Sequence, residues 1–161
     1  MGGKNELTLL SGVGPHPHAS GRAALRRGCH HAVPDILAPE MTFNVEVVLK
    51  GRDFAVTEAV SVPHGEPASW DVLAVRDVLV EILRAVSRAA DPAATGQRGV
   101  ILQGFSWIVE PEGANVVIAI EIPMGAAVAG PFAIAQARLD ALITEVLKAE
   151  RALASMAPTV H

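Results

Sequence analysis

Residues 41–62 read MTFNVEVVLKGRDFAVTEAVSV and predict a β-hairpin. In the first half, apolar side chains alternate with mostly polar neighbours, at Phe43, Val45, Val47 and Leu49. This period of two residues is typical of a strand that buries one of its faces. The hairpin therefore begins with a half-buried strand.

Gly51 and Arg52 separate the two apolar runs and predict a two-residue turn, because glycine takes a positive φ at the first turn position without Cβ strain. A chain folded there pairs Leu49 with Phe54 and Val45 with Glu58. The apolar side chains of both strands then share one face, and a slip of one residue would destroy this match. Glu58 is the one charged residue that falls on the apolar face.

A helix is expected after the hairpin, because Pro63 ends the second strand and Ser69 is a good N-cap. The helix is predicted to run from Trp70 to about Ala89. Its buried stripe is expected to contain six aliphatic residues: Val72, Val75, Leu79, Ile82, Leu83 and Val86.

The same plan follows a second time along the chain. A third strand is predicted with Ile101, Phe105 and Val109 on its apolar face, followed by a turn at 110–113. A fourth strand is expected to pair with it through Val116 opposite Val109. The small residues Met124–Gly130 are interpreted as a loop, and Pro131 as the first turn of a helix that ends near Ala154. The buried stripe of this helix is expected to contain seven apolar residues: Ala135, Leu139, Leu142, Ile143, Val146, Leu147 and Leu153.

These elements predict an α+β fold in which two ββα units form a four-stranded, mainly antiparallel sheet with both helices on one face. Residues 41–154 are expected to form this single domain, with a flexible extension at 1–40 and a frayed C-terminus at 155–161. Glu81–Ala85 resembles Glu145–Ala149 at an offset of 64 residues. Both a true duplication and the convergence of amphipathic helices explain that likeness.

The composition disfavours several classes of partner and location. Residues 41–161 contain nine Lys or Arg and fourteen Asp or Glu, so a surface that binds nucleic acid is not expected. The apolar run 116–137 contains Pro123 and Pro131 and is too interrupted for a membrane span. One cysteine and the lack of a secretory signal favour a cytoplasmic protein.

Glu58, His64 and Glu66 are the candidates for acid–base catalysis. A carboxylate on the apolar face would have a raised pKa if it were buried. The alternative is that Glu58 lies near the rim of the sheet, or pairs with Arg138 or another helix residue. A nucleophile motif does not accompany these residues, so an enzyme is the less favoured class.

The N-terminal segment contains the candidate metal ligands, which are His16, His18, Cys29, His30 and His31. Imidazole and thiolate bind zinc, nickel or copper well, but their spacing here matches no established zinc motif. Incidental histidines in a flexible segment are the simpler interpretation, and no cofactor is expected.

The outer face of the second hairpin is the candidate interface, and its residues are Leu102, Ile108, Val117 and Ala119. Apolar residues on a face that is usually solvated indicate partial cover, either by a second subunit or by the N-terminal extension. Scattered surface hydrophobic residues are the remaining alternative.

The sequence thus predicts a non-enzymatic protein-interaction or assembly module that forms a homodimer or binds another protein. The alternative is a small-ligand or transition-metal-binding protein that uses the His- and Cys-containing segment or the region of Glu58 and His64.

Overall fold

The computed structural model describes residues 39–94 and 99–157. Within these ranges, five strands and two helices follow one another in the order ββαβββα. The elements are β1 (Met41–Leu49), β2 (Ala55–Val62), α1 (Val72–Ala90), β3 (Ser106–Glu112), β4 (Asn115–Ile122), β5 (Gly125–Phe132) and α2 (Gln136–Met156). A short 3₁₀ turn at Pro67–Ser69 precedes α1.

The five strands form one open antiparallel sheet in the order β2-β1-β5-β4-β3. α1 packs on β2 and β1, and α2 packs on β3 and on α1. The predicted α+β class, the antiparallel sheet and the two helices are confirmed. The predicted number of strands is wrong, since the sheet has five strands and the second unit is βββα.

The register of the first hairpin is confirmed from Phe43↔Val60 to Val47↔Val56. The turn differs, because the N–H of Arg52 donates to Leu49 O at 3.0 Å and places Gly51, with φ of 82°, at the second turn position. β2 therefore begins only at Ala55. Phe54 does not meet Leu49 in the core, and 60% of its surface is exposed.

β5 occupies the segment for which the sequence predicted a loop and the start of a helix. It is the central strand, and its backbone is paired on both sides, with β1 and with β4. Ala and Gly have low strand propensity, so the apolar pattern of this strand is weak in the sequence. Tertiary pairing overrides that preference, and Gly125 shows how closely the strands approach: a Cβ there would lie 2.1 Å from Val48 O.

The second hairpin turns later than predicted, because β3 continues through Pro111 to Glu112, which pairs with Asn115. The strands pair with Val109 opposite Ile118, a shift of two residues from the predicted register. A shift of two keeps every side chain on its predicted face, because the strand period is two.

α1 begins two residues later than predicted, and Asp71 rather than Ser69 is its N-cap. The Asp71 carboxylate accepts a hydrogen bond of 2.9 Å from the N–H of Ala74. Trp70 instead lies in the core, and its indole Nε1 donates to Gly65 O at 3.0 Å. The predicted stripe is confirmed, since its members from Val75 onward are buried and Val72 is half-buried.

α2 begins at Gln136, so the prediction that Pro131 starts the helix is wrong. Three residues of the predicted stripe are buried, namely Leu139, Ile143 and Val146. The helix ends at Met156, and Leu153, which was expected in the core, is exposed.

The core lies between the two helices and the inner face of the sheet. Phe132 is at its centre, with its ring centroid 5.1 Å from those of Phe43 and Trp70 in edge-to-face contacts. Such contacts add to the free energy gained by burial alone. Neither helix of residues 39–94 and 99–157 has the combined length and apolar character required to cross a bilayer.

Candidate functional site

Glu58 projects from β2 toward α1 and forms an ion pair with Arg88, whose Nε donates to Glu58 Oε1. The partner belongs to α1 rather than being Arg138, which donates from Nη2 to Trp70 O instead. The Glu58 side chain is 30% exposed, so solvent screens the pair. The arrangement is that of a partly solvated structural ion pair at the rim of the sheet.

His64 lies just beyond β2, and its Nε2 is 2.8 Å from Asp77 Oδ2 of α1. Glu66 is exposed, and its backbone carbonyl accepts hydrogen bonds from Ser69. The three catalytic candidates are therefore divided among separate partners. His64 pairs with the N-terminal half of α1, while Glu58 pairs with its last turns, so they do not form one acid–base group.

The candidate metal ligands His16, His18, Cys29, His30 and His31 lie outside the described residues. Within the described ranges, no group of three or more His, Cys, Asp or Glu side chains could hold a metal ion.

A cleft of about 900 Å³ lies beside the C-terminal half of α1, where residues 99–105 and the β4–β5 turn form its other walls. Most of its lining is apolar, including Val100, Phe105 and Ile122. Arg84 also lines it, with Nη1 bonded to Glu81 and with Nε buried and unpaired among the described residues. The sequence did not reveal this cleft, because its pattern predicts a strand from Ile101, whereas β3 begins only at Ser106 and residues 99–105 form a wall of the cleft.

The face of the sheet that lies opposite the helices exposes a continuous apolar patch. In the central row, Val128 is opposite Ala119, and Ala119 is opposite Ile108. Val48 lies beside Ala126 in the adjacent row. We call the surface formed by Val48, Ile108, Val117, Ala119, Ala126 and Val128 the open face.

Three of these side chains remain substantially in water. Ile108 is 49% exposed, Val48 is 44% exposed and Val128 is 43% exposed. Antiparallel sheets usually present polar residues on a solvated face. An apolar centre on this face is therefore unusual for a sheet surface in contact with water.

The structure places three of the four residues of the predicted interface on the open face and the fourth elsewhere. Leu102 does not belong to the outer face, because it precedes β3 and its side chain is only 2% exposed. Ile108 lies opposite Ala119 rather than Val117, although all three are on the open face. The sequence missed Val128, since its strand was interpreted as a loop.

Three of the charged residues around the open face are acidic. Glu46 lies opposite Val128, Glu121 opposite Ala126, and Glu110 opposite Val117. Each of these carboxylates is exposed. The surface thus combines a flat apolar centre with an acidic rim.

Comparisons with models of protein families, with curated proteins and with solved structures found no match to this chain.

Proposed function

We propose that the protein is a non-enzymatic assembly module whose open face binds the open face of a second copy. The observation that supports this is the exposure of Ile108, Val48 and Val128 on a sheet whose described helices both lie on the other side. A patch of this kind is typical of a protein–protein contact.

A second copy fits the patch because a two-fold interface needs only one self-complementary surface. Ala119 and Ala126 keep the centre of the patch flat, so two sheets can approach closely and let the larger side chains interdigitate. Burial of roughly 200 Å² of apolar surface per subunit would contribute about 5 kcal/mol at about 25 cal/mol per Å². Because association itself costs several kcal/mol, neighbouring residues of the sheet must add to the contact.

The acidic rim determines how this contact responds to salt. Two open faces that meet bring Glu46, Glu110 and Glu121 of both copies closer together, and exposed like charges repel less as ionic strength rises. The homodimer should therefore become tighter between low salt and about 0.5 M salt. A basic partner would show the opposite dependence.

The test compares wild-type protein with Ile108→Lys in about 0.5 M salt, where exposed charges are largely screened. We expect a wild-type dimer and a folded Ile108→Lys monomer by sedimentation velocity, because the lysine places a charge at the centre of the apolar patch. Ile101→Lys is the matched control, since Ile101 is exposed but lies outside the sheet, and it should leave the dimer intact.

Two results would overturn the proposal. Wild-type protein that is monomeric at tens of micromolar in high salt has no open-face dimer. A large drop in melting temperature on deletion of residues 1–40 would indicate that this segment covers the open face instead.

A further inference from the structure

We propose that a second copy of the chain also docks along the side of the domain formed by β2 and α1, through a charge pattern on α1 that complements itself. This contact is separate from the open face and does not depend on it. Where both contacts form, the protein assembles beyond a dimer.

The pattern consists of Asp77, Glu81, Arg84 and Arg88, which are spaced by four, three and four residues. Side chains at these spacings share one face of a helix. The two acidic residues come first along the helix and the two basic residues follow. We call this set the charged stripe.

The two ends of the charged stripe contact β2 and the residues that follow it, and between them Glu81 and Arg84 pair with each other. Arg88 donates to Glu58 of β2, and Asp77 pairs with His64, which follows the end of β2. Arg76 points the other way, since its Nε donates to Glu150 of α2 at 2.6 Å. These contacts also show that α1 runs antiparallel to β2, because its last turns lie near the beginning of that strand.

When the α1 helices of two copies of the chain pack antiparallel to each other, Asp77 lies opposite the partner's Arg88 and Glu81 lies opposite the partner's Arg84. The two pairings belong to one register, because 77 and 88 have the same midpoint as 81 and 84. Two-fold symmetry then makes each pairing twice. A parallel copy would instead oppose like charges, so the stripe selects the symmetric, closed arrangement.

The free edge of β2 is the second feature that favours this contact. β2 is a terminal strand of the sheet and contains no Pro, Lys or Arg. Its outward residues are all small: Ala55, Thr57, Ala59 and Ser61. Natural sheets protect their edges with proline, charge or bulges. β3, the other terminal strand, contains Pro111 between Glu110 and Glu112, whereas β2 contains no proline and its one charged residue, Glu58, is paired with Arg88.

The geometry of the two elements is compatible with one contact. Two β2 strands side by side would be about 4.8 Å apart. Because α1 packs over both β2 and β1, the two α1 helices would then lie roughly 10 Å apart, close to the usual distance of packed helices. A single exposed ion pair contributes little free energy, but the four pairs across the two-fold axis together can change the affinity about tenfold. The charged stripe therefore sets orientation, while the strand edges supply backbone hydrogen bonds.

The experiment uses full-length protein with Ile108→Lys and low salt, so that association through the open face is removed. Asp77→Arg places a positive charge opposite the partner's Arg88, and Arg88→Asp places a negative charge opposite the partner's Asp77. Each variant alone should associate with itself at least about tenfold more weakly, because like charges face each other twice. An equimolar mixture of the two should form a mixed dimer, since each subunit then meets the opposite charge.

Native mass spectrometry distinguishes the mixed dimer from either homodimer by mass. Arg76→Asp is the matched control, because Arg76 lies on the side of α1 toward α2, and it should leave association unchanged. The parent Ile108→Lys protein provides a test without further substitution: its association should weaken at least about tenfold between 0.05 M and 0.5 M salt.

The inference is overturned if Ile108→Lys protein is monomeric at low salt, or if the two folded variants form no mixed dimer. If circular dichroism shows that either variant is unfolded, the salt dependence of the Ile108→Lys parent tests the inference instead. Association of the parent that is unchanged or stronger at high salt overturns the inference. Failure of the open-face proposal gives a different result, because wild-type protein would then be monomeric at high salt and dimeric at low salt.

Discussion

Leu102→Ala should strongly destabilise the domain, whereas Ile101→Ala should not. The Leu102 side chain is 2% exposed and belongs to the core cluster, while Ile101 is 73% exposed. Truncation of a buried leucine removes favourable burial and leaves a cavity, at a cost of about 2–5 kcal/mol. An exposed aliphatic residue contributes within about 0.5 kcal/mol.

Thermal unfolding monitored by circular dichroism measures both variants, with the open-face contact removed by Ile108→Lys in every sample and high salt to suppress the charged contact. For a domain of this size, each kcal/mol lowers the melting temperature by roughly 3–5 °C, so Leu102→Ala should melt about 10 °C or more below its parent. Ile101→Ala should melt within about 2 °C of the parent. A larger drop in melting temperature for Ile101→Ala would refute the reasoning. It would indicate that Ile101 is buried in a strand that begins at residue 101, as the sequence pattern predicts.

Two further pairs of substitutions test local features of the fold. Asp71→Ala should cost about 1 kcal/mol because it removes the N-cap of α1, while Ser69→Ala should be nearly neutral in the same unfolding assay; the reverse order would return the cap to Ser69. Gly125→Ala should prevent folding or lower the melting temperature severely, since its Cβ would lie 2.1 Å from Val48 O. Gly113→Asn should be tolerated, because asparagine accepts a positive φ and a Cβ at Gly113 has no atom within 4 Å. Equal melting temperatures for these two glycine variants would contradict the close approach of β5 to β1.

The chemistry of the candidate site was only partly visible in the sequence. The pattern identified Glu58 as a charge on an apolar face and suggested a helix residue as its partner, but not which helix would be near. Arg88 and Arg138 both lie on amphipathic helices, and only the path of α1 along β2 places Arg88 within reach. The open face was predicted from β3 and β4, and its extension across β5 to β1 depended on strand order.

The sequence by itself determined the elements whose period is strong, because alternation and helical spacing are local properties of the chain. These are β1 and β2 with their register, the buried stripe of α1, the faces of β3 and β4, and the α+β class. Tertiary structure alone decided the role of Gly125–Phe132. Its small residues carry little intrinsic preference for a strand, and the unpaired backbone groups of β1 and β4 supply the hydrogen bonds that make it one. That insertion joins the two hairpins into one sheet, and with it the separate apolar residues of each hairpin become a single surface.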